Sequence, residues 1–130
     1  MRLDLGPPLA EQRRAAYERI DKEARAASEA VRPASLVWAD RQREGDVRGI
    51  LSVDPNYHSP DLFPALAAMP GNQSLLDKAL AVKAAIERQH EELTMIEAKR
   101  LQAKAAIREA QCPNRLRSIT LQNPEGANAI

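Results

Sequence analysis

"QSLLDKALAVKAAIERQHEELTMIEAKRLQAKAAIREAQ", residues 73–111, runs for 39 residues without a proline or glycine. Within it Leu75, Ala79, Val82, Ile86, Gln89, Leu93, Ile96, Arg100, Ala103, Ile107 and Ala110 follow one another at alternating steps of four and three. Nine of these eleven are apolar, which makes a heptad seam on one helix of about 58 Å. Gln89 and Arg100 interrupt the seam, and polar seam residues can fix register or partner number at a cost in stability. Asn72 or Ser74 supplies the N-cap, and Cys112-Pro113 ends the helix.

Working back from this helix, "HSPDLFPALAAMPGN" (58–72) places three prolines and a glycine around a short apolar piece. With Asp61 as N-cap and Pro64 in the first turn, it predicts a short helix over 62–69 stopped by Pro70-Gly71. Four large apolar residues, Leu62, Phe63, Leu66 and Met69, argue against a solvated linker. The piece reads as the tip of a helical hairpin, turning the chain so that the long helix runs back along its predecessors.

Two helices precede the tip. Leu9, Arg13, Ala16, Ile20, Ala24, Ala27 and Val31 form a weakly apolar stripe broken by Arg13, which predicts a helix over Leu9–Val31 led by Pro7-Pro8 and ended by Pro33. A second helix is expected over 36–53 with Ser35 as N-cap, weakened by Gly45 and Gly49. Leu36, Val37, Val47, Ile50 and Leu51 can face a core there, with the lone Trp38 as a packing anchor.

The expected fold is therefore all-α: a helical hairpin or small three-helix bundle over residues 9–112, with extended arms at 1–8 and 113–130. The seam can pack internally or against another chain; two earlier stripes that need burial favour internal packing. "RLRSITLQ" (115–122) alternates loosely enough for an edge strand. Both arms are expected to be held by neighbouring chains, through Leu3, Leu5, Arg115, Leu116, Arg117, Ile119 and Leu121, by strand addition or groove binding.

Composition narrows the function classes. Alanine is the commonest residue in the 44% apolar content and only 3% of residues are aromatic, so the chain buries little area alone and gains from partners. Nineteen basic residues face eighteen acidic ones, which argues against a nucleic-acid binder. Arg13, Arg14, Arg19 and Arg25 on the first helix are likewise balanced by Glu11, Glu18, Asp21 and Glu23. A single Cys112 permits no internal disulfide. No apolar run reaches the ~20 residues of a membrane span, and the N-terminal stretch lacks the apolar centre of a secretory signal, so the chain reads as soluble and made in a cytoplasm.

No catalytic, cofactor-binding or metal site is expected. "HEELT" at His90 begins like a zinc-protease helix, but Thr94 stands where the second histidine belongs. His58 lies in a loop near Asp54 and Asp61, a spacing common by chance, and the glycines form no phosphate loop. Ser118 and Cys112 have no base beside them in sequence.

The order of the pieces is familiar. "YERIDKEARAASEAVR" (17–32), then "REGDVRGIL" (43–51), then the run from Val53 through "DPNYHSPDLFPALAAMPGN" to "IEAKRLQAKAAIREA" resembles a helical domain of unknown function in tailed bacteriophages. That domain often closes tail-fibre and tail-fibre-assembly proteins. The likeness spans about residues 17–110 and rests on Ile20-Asp21, Asp54-Pro55, Phe63-Pro64-Ala65-Leu66 and the motif at Ile96 to Ile107. Where the family carries an aromatic, glutamine-rich middle helix, this chain has "WADRQREGD" (38–46). The resemblance implies a non-enzymatic structural part of a phage tail, at the baseplate or fibre attachment, with other tail proteins or further copies of itself as partners. A tail-fibre assembly chaperone absent from the mature particle is the alternative.

Overall fold

The structure, a computed structural model, describes residues 7–126. It is all-α: α1 (Leu9–Val31), α2 (Val37–Ser52), α3 (Pro64–Ala67), α4 (Leu75–Glu109) and α5 (Pro113–Ser118), with 3-10 turns at Ala34–Leu36 and Pro55–Tyr57. No strand occurs among the described residues. The long helix lies where the sequence predicts it, and the tip holds a helix, though one of four residues instead of the expected 62–69. Two compact units divide the chain, one formed by residues 7–30 with 93–126, the other by Val31–Glu92. The long α4 contributes its C-terminal part to the first and its N-terminal part to the second.

In the first unit, Ala16 and Ile20 of α1 pack with Ala103 and Ile107 of α4, with Ala110 just past its end, and with Leu116 and Ile119, while Leu9, Tyr17 and Ala106 close the margins. Ile20, Ile107 and Ile119 are fully buried, each contributing about 1.5–3 kcal/mol of burial. Alanines at the meeting points let helix backbones approach closely, which compensates for the small area each one buries.

In the second unit, Val47 and Ile50 of α2 pack with Phe63, Leu66, Ala79 and Val82, and Met69, Leu75 and Ile86 flank them. Gly49 is needed here, because a Cβ on it would lie 2.6 Å from Phe63 Cε1. The caps differ from expectation at two helices. For α3, Asp61 is not the cap: Asp46 on α2 accepts from the Ala65 and Leu66 amides at 2.8 and 3.2 Å, and the helix begins at Pro64 rather than Leu62. For α2, Ser35 sits inside a 3-10 turn closed by Leu36 N–H donating to Pro33 O, so Leu36 takes the cap position without a side-chain acceptor. Ser74 does cap α4, accepting from Asp77 N–H at 3.1 Å. The tip is tied to α4 by Lys78, buried, whose ammonium donates to Met69 O at 2.8 Å.

Trp38 is not a packing anchor. It is 75% exposed, and Leu36 and Leu51 are exposed with it. Val47 and Ile50 set the buried arc of α2, and Trp38 lies about half a turn around the helix from Val47.

Candidate docking surface

The C-terminal segment is not an extended arm. Pro113 occupies the first turn of α5 and so starts a helix instead of only ending α4. Leu116, Ile119 and Leu121, expected to meet a neighbouring chain, are buried within their own. Arg115 is half-buried, and Arg117 is exposed with its guanidinium on Asn114. Leu3 and Leu5 lie outside the described residues.

What holds this segment is polar chemistry on α1. Arg19 donates to the carbonyls of Ile119 and Leu116 at 2.7 and 3.0 Å, satisfying the end of α5. Glu23 accepts from Leu121 N–H at 2.9 Å, and Arg13 donates to Ala110 O at 2.7 Å, beyond the end of α4. Arg13, which broke the apolar stripe in sequence, is thus a helix-end cap delivered from another helix. Gly126, at φ +80°, closes the segment: a Cβ there would lie 2.6 Å from Ser118 Oγ. The "RLRS" run therefore folds as a helix held in cis, because its alternate apolar residues find Ile20 and Ile107 instead of a sheet edge.

The ten seam positions within α4, and Ala110 just past its end, are all buried or half-buried. Arg100 is resolved inside the first unit: it pairs with Asp21 of α1 at 3.1 Å and Glu97 at 2.6 Å, while Lys104 reaches Asp21 at 2.8 Å. The Lys104 hydrogen bond is the largest influence on the Asp21 carboxyl; desolvation opposes it, and the Arg100 hydrogen bond with both positive charges brings the net effect below the ordinary carboxylate range. The Arg100 hydrogen bond does the same for Glu97, and the Arg100 guanidinium is held still more firmly protonated. Arg100 thereby links α4 to α1 through Asp21. In the second unit Gln89 lines a shallow groove of about 220 Å³ with Met69, Val82, Ala85 and Ile86.

The residues weighed for chemistry are dispersed. His90 is exposed on α4, and His58 Nε2–H donates to Ile50 O at 3.1 Å, tying the loop after α2 back onto it. Cys112 is exposed between α4 and α5. Among the described residues no three His, Cys, Asp or Glu side chains gather in a metal-holding group, and no helix is long and apolar enough to cross a membrane.

The feature that sequence reasoning missed is apolar and exposed. Of the ten large apolar side chains that face solvent among the described residues, eight belong to the second unit: Leu36, Trp38, Leu51, Val53, Tyr57, Leu62, Leu76 and Leu80. Tyr57 and Leu62 are each more than three-fifths exposed. Helical spacing gave no warning in α2: Leu51, four residues after Val47, shares the arc of Val47 and Ile50 and is nonetheless exposed.

No family model, no curated protein and no solved structure matches this chain.

Proposed function

We propose that the chain is a non-enzymatic structural component of a bacteriophage tail, in the baseplate or fibre-attachment region, and that it docks onto neighbouring tail proteins through the unit Val31–Glu92. The docking half of this reading rests on one observation: eight large apolar side chains stand in solvent on that unit. Where exposed apolar side chains adjoin one another they mark an interaction site, and their concentration on one unit supports this reading. The tail half rests on the resemblance over residues 17–110. Because Leu116, Ile119 and Leu121 are spent on the chain's own core, docking moves from the C-terminal segment to the second unit.

Mass spectrometry of purified particles tests the placement. A structural component is present at a fixed stoichiometry matching three-fold or six-fold tail symmetry. Absence from particles, with the protein abundant in the lysate, overturns it in favour of an assembly chaperone.

A further inference from the structure

We propose that the solvent face of α2 is the docking site for an acidic amphipathic helix of a partner protein, which crosses α2 over Gly45 between Trp38 and Arg48. This rests on the reading of the chain as a docking component and names the chemistry of what docks.

The face is defined by helical spacing. At about 100° per residue, Arg48, Arg41, Ser52, Gly45 and Trp38 fall within an arc of about 80°, directly opposite the arc of Val47 and Ile50 that enters the core. Trp38, Arg41, Arg48 and Ser52 are exposed. Trp and Arg are the residues that most often anchor interfaces.

Its charge is one-sided because the acids of α2 are all engaged. Asp40 pairs with Arg32 at 3.7 Å and Arg43 at 3.8 Å, and Glu44 pairs with Arg32 at 3.2 Å. Asp46 is turned to the α3 amides. Arg41 and Arg48 enter no ion pair or side-chain hydrogen bond among the described residues. A helix with three acids thus presents two free guanidinium groups around an exposed indole.

Gly45 supplies an independent argument. Glycine inside a helix costs stability relative to alanine. Gly49 has a reason to be glycine in Phe63, but a Cβ on Gly45 would meet nothing within 4 Å. Nothing among the described residues requires it. A bare spot between Trp38 and Arg48 is what a crossing helix needs, since interaxial distance is set by the side chains at the crossing. Two free arginines on a chain of net charge +1 make a poor phosphate track, so an acidic helix fits this face better than a nucleic acid.

Trp38 is the sole tryptophan, so its emission reports on this face alone. The full-length chain is titrated with a synthetic peptide of about 20 residues, long enough to be helical, carrying Leu at heptad positions flanked by Glu. A matched peptide with Lys in place of Glu, a single-stranded oligonucleotide, and dilution of the chain alone serve as comparisons. The expected result is a saturable blue shift with the Glu peptide only, weakened about tenfold or more by Arg41→Glu with Arg48→Glu and weakened again by raised salt. Gly45→Leu, at an open position, is expected to leave helical content intact and abolish the shift. No shift with the Glu peptide, an equal shift with the Lys peptide, a stronger one with the oligonucleotide, or a concentration-dependent shift of the chain alone each overturns the proposal. Failure here leaves particle incorporation untouched, and absence from particles leaves this binding untouched, so the two readings fail separately.

Discussion

Arg19 on α1 donates through Nη1 to the carbonyl oxygen of Ile119 at 2.7 Å, joining residues 100 apart in the chain. This bond, with its companion to Leu116, ends α5 and turns the C-terminal segment onto the first core. Arg19→Ala leaves two carbonyls without their charged donor. It is expected to cost about 1–2 kcal/mol, read as a lower urea midpoint, and to speed hydrogen exchange at the amides of Ile119 and Leu121 before the rest of the unit. Unchanged exchange at those amides would mean that the segment is held by apolar contact alone.

Ile119 itself is fully buried in that core. Ile119→Ala removes its side chain among Ile20, Ile107 and Leu116, with an expected loss of about 3 kcal/mol. A chain ending at residue 112 loses Leu116, Ile119 and Leu121 together and is expected to melt cooperatively at much lower temperature. Retention of the wild-type melting temperature by that truncated chain would restore the segment as a free arm.

Gly49 and Gly45 lie four residues apart on α2 and should respond oppositely to alanine. At Gly49 the new methyl meets Phe63, and the ring must move, so Gly49→Ala is expected to cost about 1–3 kcal/mol. At Gly45 the methyl meets open space, and Gly45→Ala is expected to add about 0.5–1 kcal/mol. Urea titrations of the two variants decide it; the same sign for both would contradict the packing.

The cluster of Asp21, Glu97, Arg100 and Lys104 gives a pH dependence with a defined sign. Asp21 and Glu97 both have folded-state values held below the ordinary carboxylate range. Such groups add stability that is complete above the unfolded value near pH 4 and is lost as pH falls through the lower folded value. The urea midpoint should therefore drop on acidification below about pH 4, and the gap between wild type and Asp21→Asn should close there. Both carboxylates are substantially exposed, so the effect is modest. A gap that widens toward acid would show the sign to be wrong.

The helical frame was legible in the sequence because it rests on local signals. Proline at 8, 33 and 64 and serine at 74 punctuate the chain, and the three-four spacing of α4 marks its buried side; α1 runs as predicted over Leu9–Val31. What was not legible depends on residues distant in sequence. Asp46 capping α3, and Arg13, Arg19 and Glu23 holding the C-terminal segment, look in sequence like ordinary surface charges. Whether "RLRS" becomes strand or helix turns on whether Ile20 and Ile107 are already in place to receive Leu116 and Ile119. The exposure of Trp38 follows the same logic. Its size favours burial, but Val47, Ile50 and the Gly49–Phe63 fit fix the rotation of α2 and turn the indole outward.

The most direct measurement counts, by quantitative mass spectrometry, the copies of wild-type chain and of Trp38→Asp in particles purified from parallel lysates. Trp38 is 75% exposed, so the variant should keep the wild-type melting temperature. The account predicts a fixed, symmetry-matched stoichiometry for the wild type and a marked loss of the variant from particles. Absence of the wild type, or equal incorporation of the two, would contradict it.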